Sequence, residues 1–409
     1  MVLSGNAIIA QSGGPTAVIN NSVAGVVQTW QKLKFKGKIY AGLNGIKGVL
    51  EEDIIDLAYQ DKAVIEGFRY TPGAGLYSCR YKVLPEDQKK LINICRKHDI
   101  RYFFYNGGND SMDTAYKTML AAEAMGYDMR VIGVPKTVDN DLPFTDHTPG
   151  YGSAAKYLAT SVLETGIDLM SVSTKNKVTI LEAMGRNAGW LTAAGALAKR
   201  SPDDAPHLVY LPEVVFDIVA FLKDVEAVYK RLGYVYVVAS EGIKNAKGEY
   251  IAAGGSIDAF GHAQLSGAGD ALKQIVEAEL GIKARCNTLG TAQRSAMHFA
   301  SLTDANEAYM VGAKAVELVM AGESGIMVTL ERASGSEYVC TTGKVGLAKV
   351  ANVEKKVPLN WIVPAGNNVT KDFVDYARPL IMGEVSIPME NGLPKYVSLN
   401  AALGRLIEK

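Results

Sequence analysis

The chain has 409 residues, enough for two or three domains or one large α/β unit with a sizeable core. Lys plus Arg and Asp plus Glu each total 43, so no bulk field draws nucleic acid or an anionic membrane, and any anion site must be local. The N-terminal MVLSGNAIIAQSGGP has no basic region before its short apolar run, no apolar stretch approaches the ~18 residues of a spanning helix, and Cys79, Cys95, Cys286 and Cys340 lack CxxC spacing, all of which argues against a secretory leader, a membrane span, a zinc site or a disulfide framework. The expected compartment is the cytoplasm, and the expected partners are small molecules.

The 41 glycines gather where apolar runs end, as punctuation in a wound α/β fold. Ala7 to Ala10 is a buried-strand candidate, Ser12 to Pro15 a turn, and Ala17 to about Trp30 a helix. Arg101 to Tyr105 is a second strand with a helix from Ser111 to about Met125, and Arg130 to Val134 a third. Pro143 to Gly152 is the crossover into a second lobe. There the expected elements are helix Tyr151 to Met170, strand Val178 to Glu182, helix Gly189 to Ala198, strand His207 to Leu211, helix Asp217 to Leu232, strand Tyr234 to Ala239, a strand or turn Arg285 to Gly290, and helix Leu302 to Met320. Val345 to Pro388 is expected to return to the sheets as strands. No repeat or Pro/Ser-rich linker marks a boundary.

The polar loops fall at the C-terminal ends of the strands, where open α/β sheets bind ligands. Gly13-Gly14 opens a helix, so backbone N–H groups and the helix dipole suit a phosphate, although a ligand-free glycine turn has the same sequence. No GxxxxGK[ST] occurs, which speaks against ordinary P-loop chemistry. YNGGNDSMDT, from Tyr105, has a second glycine pair followed by the carboxylate of Asp110, which by itself repels phosphate. In PKTVDND, Asp139 and Asp141 follow Lys136 and Thr137; one aspartate suits proton acceptance and the other a hydrated metal, while an Asx-rich turn is the structural alternative. Met184-Gly185-Arg186 and Glu241 end later strands, and Arg285 and Arg294 flank a Gly-containing turn suited to two cations on one phosphate. His98, His147, His207, His262 and His298 are scattered, against a histidine metal site or a Ser-His-Asp triad.

In this order SGG, GGNDS, PKTVDND, EAMGR, SEG and the Arg285/Arg294 pair resemble the phosphofructokinase family, specifically its pyrophosphate-dependent branch, from about residue 5 to about residue 310. The resemblance implies two doubly wound, mostly parallel α/β lobes: residues 1–150 plus about 293–370 for the phosphoryl donor, and 151–292 plus about 371–409 for the sugar phosphate. It implies phosphoryl transfer to the 1-hydroxyl of fructose 6-phosphate, with Mg2+. Asp139 would be the general base, with Thr137 supporting the substrate and Asn109 and Asp141 at the metal. Gly13, Gly14, Gly108 and Lys136 would meet the donor. Val138, Met184, Gly185, Arg186, Glu241 and Thr291 would meet the sugar. Arg294 would grip the 6-phosphate together with Arg285 and Lys177 of a neighbouring subunit, implying a homodimer or homotetramer.

ATP-using relatives carry glycine where this chain has Asp110 and Lys136. Two side chains in place of glycines would fill space that a nucleotide needs, and Lys136 can offset the charge of Asp110. Three departures from the family pattern stand out: Asn109 where most relatives have a magnesium-binding aspartate, Thr291 where histidine or tyrosine is usual, and Lys177 for an arginine, which keeps the charge but loses the fork. The alternatives are an ATP-dependent enzyme with a shifted loop, and a non-catalytic sugar-phosphate sensor. A sensor would need the arginines but not Asp139 and Thr137.

Overall fold

The opening apolar run, too short for a helix and closed by glycines, forms β1 (Asn6–Gln11), buried from Ala7 onward. The computed structural model describes residues 3–34, 36–174, 177–251 and 267–407; His262 lies outside the described residues. After β1 come α1 (Ile19–Lys32), β2 (Ile39–Gly42), α2 (Gly45–Leu50), β3 (Ile54–Asp56), α3 (Lys62–Gly67), α4 (Pro85–Lys97), β4 (Ile100–Gly107), α5 (Asn109–Ala124) and β5 (Arg130–Pro135). The crossover leads to α6 (Tyr151–Ser171), β6 (Val178–Ala183), α7 (Trp190–Ala194), β7 (Leu208–Tyr210), α8 (Ile218–Leu232), β8 (Val235–Ser240), α9 (Ala268–Leu280), β9 (Ala284–Thr288) and α10 (Leu302–Met320). The chain continues through β10 (Ile326–Arg332), β11 (Cys340–Gly346), α11 (Leu347–Val350) and α12 (Lys371–Ala377).

The first sheet has the order β11-β10-β5-β4-β1-β2-β3, parallel from β10 to β2, with β11 and β3 antiparallel at its edges. The second, β7-β8-β6-β9, is parallel throughout. Helices cover both faces, which is why these strands read as continuous apolar runs rather than alternating ones. α1 and α10 pack at a glycine contact. A Cβ on Gly25 would lie 2.2 Å from the Tyr309 carbonyl oxygen, and one on Gly312 would lie 2.1 Å from that of Ser22, so any side chain would force the helices apart.

α10 also fixes the crossover. Asp304 accepts the N–H groups of Gly150 (2.8 Å) and Ser153 (2.9 Å), capping the start of α6, and burial pushes its carboxyl up to about 6. His147 lies between Asp146 (2.7 Å) and Glu307 (2.6 Å), and Arg332 completes the cluster on Asp146. Burial lowers the imidazole pKa, but the two carboxylates outweigh it and the net shift is upward.

Two expectations are corrected. Residues 347–388 do not return as strands: β11 ends at Gly346, and α11, α12 and single 3-10 turns follow, because Pro358, Pro364 and Pro379 cannot donate to a ladder. Nor does the tail divide at about 371. Val357 and Ile362 already join the second lobe's core with Phe373 and Ala377. The last residues return to the first lobe, where Val397 N–H bonds Thr71 (3.1 Å), Asn400 N–H bonds Gln60 (3.0 Å) and Leu406 N–H bonds the Ile54 carbonyl (3.0 Å). Among the described residues no helix is long and apolar enough to cross a membrane.

Candidate active site

The C-terminal ends of β1, β4 and β5 face those of β6, β8 and β9 across a cavity of about 550 Å3. The first lobe's loops are bonded to one another: Ser12 N–H to the Asn106 carbonyl (2.9 Å) and Lys136 N–H to that of Gly107 (3.0 Å). Gly13, with φ of 77°, turns the chain, and a Cβ on Gly14 would come within 2.7 Å of Arg294 Nη1, so cation and backbone share one space. α1 starts only at Ile19, beyond this loop. The helix whose N-terminus lines the cavity is α5, through Gly108, Asn109, Asp110 and Ser111.

The buried Lys136 donates to the Gly14 carbonyl at 2.7 Å. Burial pulls its pKa down to about 8, partly opposed by the charge of Asp139. Asp139 is pushed up by burial and held back by Lys136, Arg186 and Arg294. Its N–H bonds the Thr137 hydroxyl at 3.1 Å. Asp141 is raised to about 7 by burial, then by Asp139 and Glu354, and accepts the Asn109 amide at 3.1 Å. Asn109 Oδ1 is buried with no hydrogen-bond partner.

On the other wall, Gly185 N–H bonds Glu241 at 3.2 Å, and burial raises the Glu241 carboxyl to about 7. Met184 N–H bonds the buried Gln293 at 3.1 Å, which ties the loop after β6 to the turn that carries Arg294. Burial, then Arg80, lowers the Arg294 pKa.

The structure therefore gathers Gly13, Gly14, Gly108, Asn109, Asp110, Lys136, Thr137, Val138, Asp139, Asp141, Met184, Arg186, Glu241 and Arg294 around one cavity. Gly185 supports the wall without lining the cavity, and Thr291 is exposed on the neighbouring turn. Lys177 and Arg285 lie at the starts of β6 and β9, the opposite edge of a parallel sheet, where Arg285 pairs with Asp168 of α6 at 3.2 Å. Arg80, Asn187, Asn352 and Glu354 also line the cavity and were not anticipated. Asn187 donates to Glu354 at 3.0 Å across the lobes. None of the four belongs to a motif with fixed spacing; a basic residue in the glycine-rich TPGAGLYSCR was the only available hint.

A carboxylate for a hydroxyl proton, beside a buried ammonium and two guanidiniums, is what phosphoryl transfer needs, since that chemistry rests on positioning and charge neutralisation. The comparisons with known proteins agree. The chain belongs to the phosphofructokinase family, whose model, "Phosphofructokinase", matches residues 6–319. It is similar to the pyrophosphate–fructose 6-phosphate 1-phosphotransferases of Halomonas elongata, at 47% identity over 96% of each chain, and of Xanthomonas campestris pv. campestris, at 46% over 98% of each. The crystal structure of a pyrophosphate-dependent phosphofructokinase from Marinobacter aquaeolei superposes with a TM-score of 0.90 at 45% identity, covering 99% of this chain and 98% of that one.

Proposed function

We propose that this chain transfers a phosphoryl group reversibly between pyrophosphate and the 1-hydroxyl of fructose 6-phosphate, giving fructose 1,6-bisphosphate and phosphate. The observation that carries this reading is that Asp139, whose burial makes it a stronger base, shares one cavity with the Lys136 ammonium held on the Gly14 carbonyl. Asp139 accepts the proton of the attacking hydroxyl. Lys136 and Arg80 offset the negative charge of the donor, close to the Gly13-Gly14 backbone, and Arg294 grips the 6-phosphate of the sugar. Thr137 holds the backbone of Asp139 in place, and Val138, Met184, Gly185, Arg186 and Glu241 form the sugar wall.

The orphaned Asn109 oxygen beside the Asp141 carboxylate fits a hard divalent cation such as Mg2+, and these two residues would hold it. When bound, the ion neutralises donor phosphate charge. Asp110 and Lys136, in place of small residues, favour pyrophosphate over a nucleotide. Lys177 and Arg285 face away from this chain's cavity and would serve the 6-phosphate of a neighbouring copy, which makes the working form a homodimer or homotetramer in the cytoplasm. Asp139→Asn tests the assignment: kcat should fall by at least about a thousandfold while fructose 6-phosphate binding, measured by calorimetry, stays within a few-fold. Near-parental activity would overturn it.

A further inference from the structure

Asp139 and Asp141 are separated by a residue that takes no part in lining the cavity. Asn140 is fully buried, and its φ of 53° lies in the left-handed region, which asparagine tolerates better than most residues. In an extended strand two residues in an i, i+2 relation share one face. Here a left-handed residue stands between two carboxylates that both line the cavity: Lys136 feels the charge of each, Arg186 and Arg294 act on Asp139, and Asp141 accepts the Asn109 amide.

The turn is held from outside its own loop. Asn140 Oδ1 accepts the Thr148 N–H at 3.0 Å, and Nδ2 donates to the Tyr376 hydroxyl at 2.9 Å, from a residue 236 positions downstream in α12. The phenol in turn donates to the Asp146 carbonyl at 2.7 Å. Its ring has little freedom: Trp361 and Trp190 lie 5.1 and 5.4 Å away between centroids, and the Arg332 guanidinium sits 4.7 Å from the ring centre.

The same aromatic cluster reaches the sugar wall. Trp190 opens the helix that follows the Met184–Arg186 loop, and its indole N–H bonds the Lys355 carbonyl at 3.0 Å. Lys355 N–H in turn bonds the Asp141 carbonyl at 2.6 Å, and its ammonium donates to the carbonyls of Thr145 (3.1 Å) and Asp146 (2.8 Å). The catalytic loop is thus gripped from the second lobe, and α12 supplies the hydroxyl that meets Asn140 directly.

We propose that Tyr376 is a positioning residue for phosphoryl transfer, acting through Asn140 to set the relative directions of Asp139 and Asp141. The proposal rests on Asp139 being the general base. If the ring only packs, its hydroxyl is dispensable. If the hydroxyl positions the loop, its loss lowers the rate of the chemical step without weakening substrate binding.

The test is steady-state kinetics of Tyr376→Phe, Asn140→Gly and the double variant beside Asp139→Asn, with thermal unfolding of each; glycine preserves the left-handed turn. We expect Tyr376→Phe to lower kcat by about tenfold or more, with both KM values within about twofold, and the double variant to fall no further than Asn140→Gly. Parental kcat in Tyr376→Phe, or losses that multiply independently in the double variant, would overturn the proposal. Should Tyr376→Phe fail to fold, a parental kcat in Asn140→Gly would do so as well. Full activity in Asp139→Asn removes the basis of the proposal, whereas an inactive Asp139→Asn beside a fully active Tyr376→Phe removes the proposal alone.

Discussion

Lys136 stands at the centre of the proposed chemistry. It is buried, its pKa is drawn down to about 8, and it links the Gly14 carbonyl to the charges of Asp139 and Asp141. Its position in PKTVDND was legible because a lysine ahead of two carboxylates at a strand end has few structural uses. Asp110 was legible as an oddity in a glycine loop, although the first turn of α5 is also where a helix dipole favours a carboxylate. Arg80 and Glu354 were not legible, because only folding brings them to the same cavity. If Asp110 and Lys136 exclude nucleotides, Asp110→Gly combined with Lys136→Gly should relax the exclusion of ATP and raise the ratio of ATP to pyrophosphate turnover by about tenfold or more. Initial rates with each donor measure this, and an unchanged ratio would remove the pair from donor selection.

Among the elements, periodicity found β1, β4 to β8, α1, α5 to α8 and α10, the last to its end residues, because long amphipathic or buried runs carry a strong signal, but it passed over α4, α9 and β10. It failed after Gly346, where prolines interrupt any ladder and the Trp190–Trp361–Tyr376 cluster packs the short helices and turns. It also missed the short edge pair β2 and β3, which contributes few residues to any period. At the edge of the second sheet His207 joins two strands: its Nδ1 accepts the Tyr236 N–H at 2.7 Å, and Nε2 donates to the Asp203 carbonyl at 3.1 Å. Burial pulls this imidazole from 6.5 down to about 4. Because the folded value lies below the unfolded one, its contribution is complete above about 6.5 and is lost as the pH falls toward 4, on the order of 3 kcal/mol over that window. Asp304, raised to about 6, acts in the opposite sense, so only a difference measurement isolates the histidine. The stability gap between the parent and His207→Gln should narrow as the pH is lowered from 7 toward 5; parallel thermal-unfolding curves would show that the imidazole does not titrate there.

At the scale of the whole molecule, alternating strands and helices announced two wound lobes, and the strand ends announced a cleft. The crossings of the chain between lobes were less legible. Residues from about 357 buttress the second lobe, while the tail beyond 395 closes over β3 of the first. Neither return leaves a periodic trace, because isolated backbone bonds to a distant lobe require no pattern. The lobes meet over a cavity whose cations and carboxylates suit a small, highly charged donor, while Lys177 and Arg285, proposed to serve a neighbouring copy, lie on the opposite edge of the second sheet. The measurement that bears most directly on this account is the initial rate of fructose 1,6-bisphosphate formation from fructose 6-phosphate with pyrophosphate or with ATP as the only donor. Turnover with pyrophosphate and little with ATP is the predicted result; robust turnover with ATP and none with pyrophosphate would contradict it.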